Sequence, residues 1–112
     1  MRSKKNPLGL NALQLKTLTL LQELARMTAK AGSAEGAGIA VRPPDLHGDH
    51  FHLGDAIVAT RDASGLRNPA VWVALERKGL IHSRYPNVAV VTPLGLEYET
   101  GLREAILHKS GH

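Results

Sequence analysis

Apolar and polar positions alternate along this chain with two periods, and the changes of period divide it into elements. From Leu10 to about Lys30, Leu13, Leu20, Leu24 and Met27 recur at three-to-seven spacing, with Leu18 and Leu21 alongside. That spacing predicts a helix, with Asn11 near its N-cap. Its apolar stripe is wider than contact with one small neighbour needs. The period fails at 31–45. Ala31-Gly-Ser-Ala-Glu-Gly-Ala-Gly38 reads as a flexible stretch, and Pro43-Pro44 excludes helix. Ile39 to Arg42 predicts a short strand inside that connection, and 31–49 as a whole reads as a flexible loop.

The second half is denser in signals. His47-Gly-Asp-His-Phe-His52 predicts a turn into a short extended segment. Leu53 to about Asp62 reads as a helix centred on Ala56 to Ala59, and Ala63-Ser-Gly65 as a turn. Pro69 to Lys78 reads as a further helix, with Asn68 as N-cap, Pro69 at its first position and Gly79 as a left-handed stop. Leu80 to Tyr85 and Val88 to Thr92 predict two strands joined by turn chemistry at Pro86-Asn87. From Pro93 the pattern returns to helix, with Tyr98, Leu102, Ala105 or Ile106, and Lys109 on one side.

The chain is 112 residues long, which suits one domain. Residues 1–9 read as a disordered basic arm carrying Arg2, Lys4 and Lys5, and 10–109 as the domain. The absence of cysteine removes disulfides, thiolate zinc sites and cysteine nucleophiles together. Polar residues Asn11, Gln14, Lys16 and Thr17 interrupt any signal-peptide core, and no apolar run is long enough to span a membrane. The expected location is the cytoplasm. A net charge of +4 and a pI near 9.8 favour anionic partners, nucleic acid above all.

Ala74-Leu-Glu-Arg-Lys-Gly-Leu-Ile81 resembles the end of the recognition helix in bacterial winged-helix regulators, where it enters the first wing strand. Thr92-Pro-Leu-Gly95 resembles the exit from their second wing strand. Together these look like the MarR, PadR or ArsR types of transcriptional regulator, over about residues 50–108. The resemblance implies an α+β, mostly α, winged helix-turn-helix with a two- or three-stranded wing sheet and additional N- and C-terminal helices. It also implies binding to double-stranded DNA as a homodimer joined through the first and last helices.

Several residues are candidates for that function. Arg67, Asn68 and Arg77 are the base-reading candidates, because Arg and Asn match base edges and the start of a recognition helix does most of the reading. Asn68 also serves as a cap. Arg84 near the wing tip and Arg61 on the preceding element are candidates for phosphate contact, Arg61 alternatively pairing with Asp62 or Glu76. The outward face of the helix otherwise presents Ala70 and Val73, which suggests a protein-interaction module as the alternative. A third reading is a metal-responsive regulator. His47, His50 and His52 lie within six residues, with Asp49 as a further donor, and imidazoles so spaced suit zinc, nickel or copper. His82 on the first wing strand reads as structural, His108 and His112 in the tail are weak candidates, and Trp72 reads as core. No acid, base and nucleophile fall together, so no enzyme is expected.

Overall fold

A computed structural model of the chain describes residues 6–30, 38–46 and 48–109. Its first element, α1 (Ala12–Lys30), starts with a reciprocal pair of bonds. The Asn11 Oδ1 accepts from the Gln14 backbone N–H at 2.8 Å, and the Gln14 Oε1 accepts from the Asn11 N–H at 3.0 Å. Two of the donors left over at a helix start are satisfied this way. Six consecutive residues in mid-helix, Thr17 to Gln22, are all buried. Six residues sweep more than a full turn, so the middle of α1 is enclosed all round.

The enclosing elements follow in order: β1 (Ile39–Val41), β2 (His50–Leu53), β3 (Ala56–Ala59), a 3-10 helix (Thr60–Arg67), α2 (Pro69–Arg77), β4 (Ile81–Arg84), β5 (Val88–Val91), α3 (Pro93–Glu97), α4 (Arg103–Ile106) and β6 (His108–Lys109). They form an α+β domain with two antiparallel sheets, ordered β1-β5-β4 and β2-β3-β6. In the first sheet Ile39, Val91 and Ile81 stand opposite one another across the strands, and all three are buried. α1 packs on β1 and β5, and also on the 3-10 helix, α2 and α3. The middle of the α1 stripe is therefore covered by its own chain, while Met27 near its end is 37% exposed. Leu18, Leu20 and Leu21 have no exposed surface to offer a second copy.

Two expected helices are replaced. The stretch from Leu53 is a hairpin, not a helix: β2 and β3 pair from His50↔Ala59 to Leu53↔Ala56 around Gly54-Asp55. Gly54 sits at φ +61°, which a hairpin turn asks for and a helix does not. β2 alternates exposed and buried, with Phe51 and Leu53 inward. The helical turn follows later, as the 3-10 segment. There Gly65 is a close-approach glycine: a Cβ on it would lie 1.9 Å from Thr17 Oγ1 of α1.

The expected long C-terminal helix is also broken. α3 ends at Glu97, and Gly101 adopts φ +74° before α4. Between them Tyr98 turns inward, 7% exposed. The buried Gln22 amide of α1 donates to the Gly95 and Tyr98 carbonyls, both at 2.8 Å. The break thus has its carbonyls satisfied by α1 rather than by a further helical turn. Tyr98 also donates its hydroxyl to Asn6 Oδ1 at 2.7 Å and accepts from the Leu8 N–H at 3.0 Å. Residues 6–9 are therefore bonded to the domain, while residues 1–5 of the expected arm lie outside the described residues.

Thr92-Pro-Leu-Gly95 has a direct physical reason. The Thr92 hydroxyl accepts from the Gly95 N–H at 3.0 Å as the N-cap of α3, and Pro93 takes the first helical position. Gly95 lets α3 sit on the end of β4, because a Cβ there would lie 2.1 Å from the Leu80 carbonyl oxygen. Backbone cannot yield as a flexible side chain can. Gly95→Ala is expected to destabilise the domain by roughly 3 kcal/mol. At about 4–8 °C per kcal/mol for a domain of this size, a thermal melt should read a drop of more than 10 °C. An unchanged midpoint would show that α3 does not rest on β4.

Candidate nucleic-acid interface

α2 is built to hold one face out and one face in. Asn68 caps it in extended conformation, its Oδ1 accepting from the Ala70 N–H at 3.0 Å, and Pro69 occupies the first helical position. Val71, Trp72 and Leu75 are buried, while Pro69, Ala70, Val73, Glu76 and Arg77 face solvent. At the far end Gly79 leaves the helix at φ +79°, and the Leu80 N–H bonds back to the Leu75 carbonyl at 3.1 Å. This left-handed exit turns the chain directly into β4.

The β4–β5 hairpin is tied to α2 at two points. Along its first strand, the Ser83 N–H donates to Glu76 Oε2 at 3.1 Å. At its tip, the Tyr85 hydroxyl donates to the Arg67 carbonyl at 2.7 Å, just ahead of the Asn68 cap. The Tyr85 ring meets fully buried Trp72 edge to face, with centroids 5.1 Å apart and planes at 83°. Helix and hairpin are thus held as one unit. A groove of about 460 Å³ runs beside the tip, between Pro43, Pro44, Leu66, Arg67, Tyr85 and Pro86.

Charge is unevenly distributed around this unit. Between Thr60 and Val91 the cations are Arg61, Arg67, Arg77, Lys78 and Arg84, against the acids Asp62 and Glu76. Both acids are engaged: Asp62 pairs with Lys16 of α1 at 3.0 Å, and Glu76 accepts the Ser83 N–H. Arg61 pairs with neither Asp62 nor Glu76. Arg61, Arg77, Lys78 and Arg84 are exposed and form no ion pair with a described residue. Arg67 makes one long bond, 3.4 Å, to the Leu46 carbonyl. From Pro93 to Ile106 the balance reverses, with Glu97, Glu99 and Glu104 against Arg103.

Among the sequence candidates, Arg67, Asn68, Arg77 and Arg84 therefore sit on α2, on its approach or on the attached hairpin, and Arg61 sits on the 3-10 helix. Asn68 is engaged as a cap. Lys78 and Tyr85 were not singled out by the sequence reading. Lys78 is the last residue before Gly79, and Tyr85 precedes Pro86 at a predicted turn; only the fold reveals that Tyr85 reaches Arg67.

The histidine candidates lie elsewhere. His47 is outside the described residues. His50 and His52 share the exposed face of β2, with ring centroids 5.6 Å apart, and His50 Nδ1 lies 3.0 Å from Asp49 Oδ1. That neighbour holds the Asp49 carboxyl below its ordinary range. The register adds a member the sequence could not assign: His52 and His108 both stand opposite Ile57, from either side, so they share one face of the sheet. Among the described residues no set of three side chains is placed to share a metal ion. A separate hollow of about 540 Å³ lies between α1, the β2–β3 turn and α4, lined by Met27, Asp55, Glu104 and Leu107, with Glu23 and Arg103 already paired to each other.

The tip bond can be tested directly. Tyr85→Phe removes the hydroxyl while keeping the ring against Trp72. It is expected to cost about 0.5–1 kcal/mol, since the bond is partly open to water. A lower urea midpoint followed by Trp72 fluorescence would register it, and an identical midpoint would count against the bond. Comparison of the chain with known protein families, curated proteins and solved structures returned no match.

Proposed function

We propose that this chain is a winged-helix protein that binds duplex DNA and acts as a transcriptional regulator, with α2 as recognition helix and the β4–β5 hairpin as wing. The observation that carries the reading is charge. Five cations, Arg61, Arg67, Arg77, Lys78 and Arg84, lie on the 3-10 helix, α2 and the hairpin, and the two acids among them are already engaged. The order of elements supports it: α1, β1, then the β2–β3 hairpin as an insertion, the 3-10 helix, α2, β4 and β5, with β1 completing the sheet beside β5. A helix of nine residues with an exposed outer face is of the size the major groove admits. A second copy bound at an adjacent half-site would join through surfaces other than the enclosed middle of α1.

Affinity from such a set is mostly counterion release, so it falls steeply with salt. Five phosphate contacts give a slope of about −4.5 in log K against log salt, at about −0.9 per contact. The triple variant Arg67→Ala, Arg77→Ala, Arg84→Ala is expected to flatten that slope by about 3. Anisotropy titrations of a labelled 25-base-pair duplex between ~50 and ~200 mM salt measure both. Absence of duplex binding at the low-salt end ends the reading.

One observation favours a protein partner instead. Val73, 46% exposed in mid-helix, is flanked by Ala70 and carries no group that hydrogen-bonds a base. Under that reading a co-purifying protein is lost on Val73→Glu while DNA is ignored by both forms.

A further inference from the structure

The outward stripe of α2 has a chemistry that selects among base pairs even though it lacks hydrogen-bonding groups. Ala70 and Val73 are three positions apart and therefore neighbours on one helical face, Ala70 in the first turn that approaches base edges in helix-turn-helix docking and Val73 at mid-helix. The Asn68 Oδ1 is taken by its cap bond, which leaves no bidentate match to adenine, and the Glu76 carboxylate accepts the Ser83 N–H of β4. What remains between the arginines is two apolar side chains, one of them Val73 at 46% exposure. In the major groove the one apolar feature of any base pair is the thymine 5-methyl group, and small aliphatic side chains are its natural contact.

We infer that α2 reads thymine methyl groups through Ala70 and Val73, so that the preferred duplex is rich in thymine along the contacted strand. The inference rests on the DNA-binding reading. Arg77, four positions beyond Val73, shares its helical face, and Arg67 lies just ahead of the cap, so the two apolar side chains are bracketed by cations that suit a polyanion and that an apolar protein groove would not require. Phosphate contacts then hold the helix in place, and the two methyl contacts provide the selectivity. Sequence preference is shallow in consequence. A buried methyl is worth about 0.8 kcal/mol, or about fourfold in affinity, and two give at most about fifteenfold.

Replacing thymine by deoxyuridine removes the methyl and leaves pairing intact. Two 25-base-pair duplexes of identical A·T-rich sequence, one carrying deoxyuridine at every thymine, are titrated at ~50 mM salt against the full chain and against Ala70→Ser, Val73→Ser. Both positions are exposed, so the variant keeps the fold, and its melting midpoint verifies this. The expected result is a four- to fifteenfold preference for thymine that falls to near unity in the variant. Equal binding of the two duplexes by the unaltered chain overturns the inference and leaves DNA binding standing. A preference that persists in the variant also overturns it, since duplex shape and not methyl contact would then be the cause. Failure to bind either duplex overturns both, and leaves the Ala70–Val73 face to a protein partner.

Discussion

The arrangement of this domain depends on enclosing the middle of α1. A helix buried on one side imposes a pattern on its neighbour; a helix buried all round imposes conditions on everything that touches it. The 3-10 helix approaches so closely that only glycine fits at position 65, against the Thr17 hydroxyl. Thr17 and Thr19 return their hydroxyls to carbonyls one turn back, at 2.8 Å each. Gln22 supplies the carbonyls of α3 and Tyr98. Buried polar groups are tolerable only when partnered, so each of these residues both occupies the centre and specifies what packs there.

Much of this was legible along the chain, for reasons that can be named. α1, α2 and the β4–β5 hairpin each combine a strong period with their own punctuation: Asn11 with Gln14, Asn68-Pro69 with Gly79, and Pro86-Asn87. The β2–β3 hairpin was missed because Ala56-Ile-Val-Ala59 is a short apolar run, which periodicity cannot assign to helix or strand. The alternation of His50 to Leu53 and the Gly54-Asp55 pair held the better signal. The C-terminal helix was overextended because Tyr98 and Leu102 keep helical spacing. Its break is decided by Gln22, 73 and 76 residues away from its two carbonyl partners, and no local pattern records that.

The candidate site was legible in its residues but not in its rigidity. Arg67, Arg77 and Arg84 can be picked from the sequence by type and place. That Tyr85 reaches across to the Arg67 carbonyl, or that Glu76 faces a strand N–H instead of a cation, follows only from the hairpin folding back on α2. The two bonds lower the ordering cost of any contact the helix and hairpin make together, because their relative position is set beforehand. The Ser83 bond also orients the Glu76 carboxylate toward the hairpin, where it keeps its charge.

The bond between Tyr98 and Asn6 has a kinetic meaning as well as a structural one. It joins residues 92 positions apart in a chain of 112, at an Asn6 backbone held at φ +63°, a conformation asparagine tolerates better than most residues. Closing so long a loop gains nothing until the intervening chain is already ordered around α1. The contact is therefore a late one in assembly and an early one to open, a latch over a finished interior. Amide protons at Leu8 and Leu10, both held through this pair, report that local opening separately from the unfolding of the domain beneath.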